Sequence, residues 1–333
     1  MKTGIGYFDC RSLRHVLDDL DDIVAHNCTY VVHCFSEADL VFYKETMKEI
    51  VAATHEKGLE VWIDPWGVGG TFGGETFSRF VASNPRATQL RSDGKRAPLA
   101  CPNQRSFRRF MKGWVEAAAY IGADVVFWDE PHWFSGVLTG EDTEAWACRC
   151  GRCRALFKRE YGYDMPFELT EEVQAFRQGA MVDFLTEMSS YARSLGTRNA
   201  LCVLPTELPE LGFSDWDLAA SIPAMDIFGT DPYWFVFYTD PVEFVSYYTR
   251  KVVELCKKHG KDDHIWVQGF KVPAGREDEI RLAIEAAVAN GATNIAAWSY
   301  LGCGSMSSFA SEQPKVVWGT IGRAYARLLK RLV

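Results

Sequence analysis

Short apolar runs alternate with longer amphipathic segments along the whole chain. The runs are rich in β-branched and aromatic residues, which is typical of the strands of a parallel sheet. They predict eight strands, at 4–9, 28–34, 60–65, 124–129, 200–205, 225–231, 264–269 and 293–299. Between the strands, apolar residues recur with a period of about 3.6, as in Leu13, Val16, Leu20 and Ile23. This periodicity predicts a helix after each strand.

Eight strand-and-helix units predict an α/β fold, a (β/α)8 TIM barrel. A doubly wound open sheet is the competing arrangement, but no Gly-x-Gly-x-x-Gly motif follows the first strand. A chain of 333 residues suits one barrel, and we expect a single catalytic domain over residues 1–333. Two connections are long, roughly 67–107 after strand three and 131–170 after strand four. Barrels build their sites from such loops.

The net charge of −8 argues against a nucleic acid or an anionic membrane surface as a partner. No apolar stretch approaches the roughly 20 residues that span a bilayer. The N-terminus lacks the charged and apolar regions of a signal peptide. We therefore expect a cytoplasmic protein, whose ten cysteines are reduced or metal-bound rather than paired in disulfides. The sequence leaves the formation of a homo-oligomer open.

Four cysteines fall in the two long connections. Cys101 lies in the first, and Cys148, Cys150 and Cys153 form a Cys-x-Cys-x-x-Cys motif in the second. Structural zinc takes four tetrahedral ligands, which these thiolates would supply. The spacing predicts one structural Zn ion that joins the regions 95–107 and 131–165, with no open position for chemistry. The alternative is a set of unrelated reduced thiols.

Acidic residues lie at the C-terminal ends of most predicted strands, where a barrel binds its substrate. They are Asp9, Glu37, Asp64, Asp129, Glu130, Glu207 and Asp231. Hydrolysis of a glycoside needs one carboxyl group as proton donor and another as nucleophile or as base for water. Glu130 is the expected general acid, because the apolar strand before it would raise its pKa. Asp231 or Asp129 supplies the second carboxylate; in the reverse assignment Asp129 is the nucleophile and Asp231 the acid/base.

Aromatic residues make up 14% of the chain, and several lie close to these acids. Aromatic rings stack on sugar faces, although core packing is their commoner use. The residues near the strand ends that we expect to contact a carbohydrate substrate are Asp9, Asp64, Trp66, Trp128, His132, Tyr233, Gln268 and Trp298.

Three motifs resemble the barrel domain of the glycoside hydrolase family 42 β-galactosidases, a family of clan A. They are Cys-Pro-Asn-Gln-Arg-Ser-Phe-Arg at 101–108, Trp-Asp-Glu at 128–130 and Cys-Arg-Cys-Gly-Arg-Cys-Arg-Ala-Leu-Phe at 148–157. The resemblance implies that the four cysteines bind zinc and that Glu130 is the acid/base. It further implies sugar stacking by Trp298 and a substrate contact by Arg96, the latter with a shift of one residue.

Two positions depart from the pattern of that family. Asp129 stands where the family has Asn, and Gln268 stands at the end of strand seven, where the family has its nucleophilic Glu. The resemblance therefore implies a glycoside hydrolase without implying a β-galactosidase. Two rivals stay open, a non-catalytic carbohydrate-binding barrel, which Gln268 favours, and a metal-dependent hydrolase.

Overall fold

The structure is a computed structural model, and it describes residues 1–136, 140–141, 144–211 and 213–330. The predicted loop region 131–165 therefore lies partly outside the described residues.

Eight parallel strands close into a barrel. The barrel strands are β1 (Lys2–Tyr7), β2 (Tyr30–Cys34), β3 (Glu60–Asp64), β6 (Val125–Asp129), β7 (Arg198–Val203), β8 (Ile227–Thr230), β9 (Asp262–Gln268) and β10 (Asn294–Trp298). They are hydrogen-bonded in the order β1-β10-β9-β8-β7-β6-β3-β2. Each predicted strand overlaps one of them, so the TIM barrel is confirmed. The first long loop adds an antiparallel hairpin of β4 (Thr88–Leu90) and β5 (Arg96–Ala100).

Helices surround the barrel and bury their apolar stripes against it. The helices are α1 (Leu13–Ala25), α2 (Lys44–Glu56), α3 (Arg79–Ser83), α4 (Arg105–Ile121), α5 (Gly151–Tyr161), α6 (Glu171–Ser194), α7 (Trp216–Ala220), α8 (Trp234–Phe237), α9 (Pro241–His259), α10 (Asp278–Ala289) and α11 (Pro314–Lys330). The stripe predicted for α1 is confirmed, because Val16, Leu20 and Ile23 are buried. Within the described ranges, no helix has the length and apolarity needed to cross a membrane.

Side chains alternate between the barrel interior and the layer beneath the helices, because successive strand residues point to opposite faces. In β6, Val125 and Phe127 belong to the interior cluster, whereas Val126 and Trp128 belong to the outer one. The same alternation brings the last inward residues of neighbouring strands into one layer at the C-terminal mouth. That layer contains Cys34, Asp64, Asp129, Cys202, Asp231, Gln268 and Trp298.

Glu37 holds the beginning of the long loop after β3. Its Oε1 accepts hydrogen bonds from the Gly69 amide at 2.9 Å and the Ser78 hydroxyl at 2.6 Å. Its Oε2 accepts one from the Phe80 amide at 2.7 Å. Glu37 is only 3% exposed, so this acid serves the loop backbone and not the mouth of the barrel.

We expect Glu37→Gln to lower the free energy of unfolding by about 1–3 kcal/mol, because the new amide N–H would face an N–H or O–H donor. Chemical denaturation measures the change, with Glu49→Gln on the exposed face of α2 as the control. Equal stability of the two variants would contradict the role of Glu37.

Candidate active site

A cavity of about 310 Å³ opens at the C-terminal ends of the barrel strands. Acidic residues line one part of it, and aromatic residues line most of the rest. Its lining consists of Trp66, Gly74, Glu75, Asp129, Glu130, Leu204, Asp231, Tyr233, Val236, Phe237, Trp266, Phe270, Lys271, Trp298 and Phe309.

Asp129 and Glu130 leave β6 at the floor of this cavity. Asp129 points inward as the last residue of β6, and Glu130 turns its backbone to a φ of +40°. Gly73 of the first long loop packs against both carboxyl groups. A Cβ atom at Gly73 would lie 2.6 Å from Oδ2 of Asp129 and 3.0 Å from Oε2 of Glu130. The two carboxyl groups are therefore close neighbours, and burial and the charges of Asp64 and Glu130 raise the pKa of Asp129.

Asp231 follows β8 and is 2% exposed. Burial, the charge of Glu130 and a hydrogen bond between the two carboxyl groups raise the pKa of Asp231 well above its ordinary value. The thiol of Cys202, on the strand between them, lies 3.9 Å from Oδ1 of Asp231. Cys202 is also opposite Asp129 in the β6–β7 register. This thiol therefore separates two acids that would otherwise face each other across β7.

Asp64 ends β3 next to this group and is fully buried. The Cys34 thiol lies 3.6 Å from its Oδ2, while its Oδ1 has no hydrogen-bond partner among the described residues. Burial and the charges of Glu130 and Glu75 raise the pKa of Asp64. The mouth thus concentrates acids on β3, β6 and β8, with the Cys202 thiol of β7 between the acids of β6 and β8.

Aromatic rings form the opposite wall. The rings of Trp66 and Trp298 both stack on Phe8, with centroid distances of 5.4 Å and 5.6 Å. Gly6 is required there, since a Cβ atom on it would lie 2.3 Å from the Trp298 ring. Tyr233 packs edge-on against Phe270 with its centroid 5.0 Å away. These rings offer flat apolar faces beside the acids.

Gln268 lies beneath the cavity with both ends of its side-chain amide engaged. Its Oε1 accepts a hydrogen bond from the Phe235 amide at 2.9 Å, and its Nε2 donates one to the Phe270 carbonyl at 3.1 Å. Gln268 is fully buried. An ionised Glu could not donate to the Phe270 carbonyl, so this position is built for an amide.

Besides Asp9, Asp64 and Gln268, which lie next to the cavity, three residues expected to contact substrate do not line it. Trp128 is fully buried on the outer face of β6, where its Nε1 donates to Oδ1 of Asn199 at 3.0 Å. Arg96 is exposed on β5 and donates to Thr88 of the hairpin. His132 holds the backbone of Glu130 instead, with 2.7 Å between its Nδ1 and the Glu130 carbonyl. Trp128 points away from the cavity because side chains alternate along a strand and the next residue, Asp129, points inward.

Asp9 lies just beyond β1, at the edge of this site. Its Oδ1 accepts a hydrogen bond from the Ser305 hydroxyl, and its buried Oδ2 has no partner among the described residues. Burial raises the pKa of Asp9.

The structure adds residues that the sequence did not single out. Glu75 of the first long loop lines the cavity, and burial and the charge of Glu130 raise its pKa. Lys271 and Phe309 complete the lining, with the Lys271 ammonium 4.3 Å from the centre of the Phe309 ring. Glu75 and Phe309 lie away from strand ends, so the rule that locates mouth residues gives no signal for them.

The four cysteines of the long loops converge in one buried cluster. The sulfur atoms of Cys101, Cys148, Cys150 and Cys153 all lie within 4.8 Å of one another. A tetrahedral zinc site with Zn–S bonds of about 2.3 Å needs such a spacing. Three sulfurs also receive N–H donors, from Asn103 to Cys153, from Gln104 to Cys150 and from the Leu90 amide to Cys148. Four buried thiols with N–H donors fit a bound metal ion.

Hydrogen bonds connect this cluster to Glu130. The carbonyl of Ala100, next to Cys101, accepts a hydrogen bond from the Thr71 hydroxyl at 2.8 Å. The Thr71 carbonyl accepts one from the His132 amide at 2.9 Å. His132 in turn donates from Nδ1 to the Glu130 carbonyl. The two long loops therefore meet beside the acidic floor.

Comparison with known proteins establishes the fold. No model of a known protein family matches the chain, and no curated protein sequence matches it. An endo-1,4-beta-mannanase from Rhizomucor miehei is 11% identical with a TM-score of 0.63, over 98% of this chain and 95% of that chain. A GH5_18 protein from Streptomyces cattleya in complex with GlcNAc is 12% identical with a TM-score of 0.61, over 99% and 80%. A D-allulose 3-epimerase from Methylomonas sp. is 9% identical with a TM-score of 0.51, over 99% and 98%.

These identities show a shared barrel and leave the chemistry to the site, because one barrel fold serves many reactions. The resemblance to glycoside hydrolase family 42 stays a prediction.

Proposed function

We propose that this chain is a glycoside hydrolase that acts on a carbohydrate substrate in the cavity at the barrel mouth. The observation that carries the proposal is the convergence of Asp129, Glu130 and Asp231 on one cavity that aromatic rings also line. Glycoside hydrolysis needs a protonated carboxyl group, a second carboxylate and a surface that holds a sugar ring. The solved mannanase barrel of similar fold is consistent with this class of reaction.

The Glu130–Asp231 pair supplies the proton. Burial and the neighbouring carboxyl group raise the pKa of Asp231 well above its ordinary value, so a proton is held beside Glu130. Asp231 is almost fully buried, whereas Glu130 reaches the cavity more openly. Glu130 is therefore the group placed to pass this proton to the glycosidic oxygen, and the buried Asp231 is its source.

Asp129 is the second carboxylate in this proposal. Its Oδ2 and Oε2 of Glu130 lie within 3.0 Å of the same point. This proximity suits the separation of about 5–5.5 Å between the carboxyl groups of retaining glycosidases better than the 6.5–9.5 Å of inverting ones. Asp129 would then attack the anomeric carbon while Glu130 protonates the leaving oxygen. Gln268, bonded at both ends, takes no part in this chemistry.

The aromatic residues of the lining, with Asp9 and Asp64 next to it, bind the sugar in this proposal. Trp66, Tyr233 and Trp298 offer ring faces for stacking. Asp9 and Asp64 each keep one carboxyl oxygen without a partner in the described chain, and sugar hydroxyl groups are suitable donors for them.

The proposal includes one structural zinc ion in the four-cysteine cluster, which joins the loop regions 95–107 and 131–165. Four sulfur ligands leave no site for substrate, so the metal would stabilise the loops. In the described part of the chain, the side chains grouped closely enough to hold an ion are these four cysteines. This finding favours a glycosidase over a metal-dependent hydrolase. We also propose that the protein is cytoplasmic. The reducing conditions there would suit its ten cysteines, which form no disulfide.

The second candidate is a carbohydrate-binding barrel without catalysis. Gln268 favours it, because the strand-seven position lacks a carboxylate. Both candidates bind a sugar, but only the hydrolase converts it to product. The kinetics of the variants described next therefore distinguish the two.

We expect Glu130→Gln to lower kcat/KM by about 10²–10⁴-fold for aryl glycosides with poor leaving groups and much less for dinitrophenyl glycosides, which need no acid. Asp129→Asn should lower both rates alike, since a nucleophile or base acts on every substrate. Steady-state kinetics measure the ratios, with Glu56→Gln on exposed α2 as the control. Sugar binding by the wild type without turnover would favour the binding barrel.

We expect Asp231→Asn to move the alkaline limb of the kcat/KM profile to lower pH by about one unit or more. In the wild type the raised pKa of Asp231 keeps a proton beside Glu130 as the pH rises, whereas an amide at position 231 has no such proton to supply. The profile is measured with an aryl glycoside, and Asp18→Asn on exposed α1 is the control. An unchanged limb, or one at higher pH, would refute the shared proton.

We expect the purified protein to contain one zinc ion per chain by elemental analysis. Cys150→Ser should lose the ion and lower Tm by about 10 °C or more, because metal binding contributes to folding. Cys256→Ser replaces a buried thiol outside the cluster and should keep the zinc. Equal metal content in both variants would contradict the site.

A further inference from the structure

A second cavity, of about 530 Å³, lies on the outside of the barrel and is lined mainly by cations. It runs along α4, α5 and α6 and shares no residue with the cavity at the mouth. We call it the basic groove. Its lining consists of Asn103, Arg105, Arg108, Arg109, Lys112, Arg152, Leu156, Arg159, Asp183 and Glu187.

The two acids of the basic groove are already paired. Arg108 bonds Asp183 at 2.8 Å and Glu187 at 2.7 Å, and Lys112 bonds Glu187 at 2.7 Å. Both acids of the groove are therefore neutralised by two of its six basic residues, Arg108 and Lys112.

Four arginines of the groove keep their positive charge free. Among the described residues, Arg105, Arg109, Arg152 and Arg159 form no ion pair with any acid of the chain. Nε of Arg152 is buried and has no hydrogen-bond partner in that same part of the chain. A buried guanidinium N–H without an acceptor costs free energy unless a ligand provides one.

This concentration of cations is unusual for the chain as a whole, whose net charge is −8. A concave surface lined by one sign of charge concentrates the opposite ion. The guanidinium group presents paired N–H donors that match the oxygens of phosphate and similar oxyanions. Both the charge and the donors select the same kind of ligand.

We propose that the basic groove binds a tetrahedral oxyanion group, phosphate or sulfate, either as the free ion or as an ester on a sugar. Arg105 and Arg109 on α4 and Arg152 and Arg159 on α5 donate to it. The proposal does not depend on catalysis at the barrel mouth, since the two sites share no residue.

The site also adjoins the four-cysteine cluster. Asn103 lines the groove and donates from Nδ2 to the sulfur of Cys153 at 3.3 Å. Arg152 precedes Cys153 in the first turn of α5. A bound oxyanion would therefore lie beside the element that joins the two long loops.

Isothermal titration at low ionic strength tests the proposal with four probes: inorganic phosphate, inorganic sulfate, glucose 6-phosphate and glucose 6-sulfate. Arg159→Ala removes one donor of the groove, and Arg154→Ala removes an exposed arginine of the same helix outside it. We expect saturable binding of one ion per chain, weakened about tenfold in Arg159→Ala and left within about twofold in Arg154→Ala. Both side chains are exposed, so circular dichroism should show two folded variants.

The probes separate the two sources of the oxyanion. Equal affinity for the free ions and the esters would identify the free ion as the ligand, and esters binding at least about tenfold more tightly would identify a modified sugar. The absence of saturable binding by all four probes at millimolar concentration would overturn the proposal. Equal weakening by Arg154→Ala and Arg159→Ala would overturn it as well, since it would show non-specific attraction.

Discussion

Thr71 forms the contact between the two long loops that lies next to the acids of the mouth. Its hydroxyl donates to Ala100, beside the cysteine cluster, and its carbonyl accepts the His132 amide. His132 then holds the carbonyl of Glu130, whose left-handed backbone a free loop would rarely adopt. The position of the acidic group thus depends on a contact between loops and not on the barrel strands alone.

Burial of several carboxyl groups in one layer is the second constraint. Strand ends place Asp64, Asp129 and Asp231 around the same space, and each has a raised pKa because burial, and then the like charge of its neighbours, disfavours its ionised form. The Cys34 thiol lies beside Asp64 and the Cys202 thiol lies between Asp129 and Asp231, and the described residues place no arginine or lysine in that layer. The acids of this layer therefore meet one another without a fixed cation between them.

The sequence was sufficient to predict the barrel and the positions of Asp64, Asp129 and Asp231 at strand ends, because both follow from periodicity, but it did not show that Glu37 bonds the loop after β3 instead of facing the mouth. Eight apolar runs predict eight strands, and a strand end faces the substrate in this fold. The prediction that Trp128 contacts substrate was made from its position near the end of a strand. Side chains alternate between the two faces of a strand, and Trp128 lies on the outer face. Glu75 could not be predicted, because its place depends on how the loop after β3 folds back. Cysteine spacing predicted the convergence of two distant loops, since a set of four thiols has few other uses.

The absence of a side chain at Gly73 determines how closely the first long loop can approach the acids of the mouth. A methyl group at that position would stand between the carboxyl oxygens of Asp129 and Glu130, at 2.6 Å and 3.0 Å. Such a methyl group would force either the loop after β3 or one of the two carboxyl groups to shift. Glycine at position 73 is therefore what allows the first long loop to lie directly on these two acids.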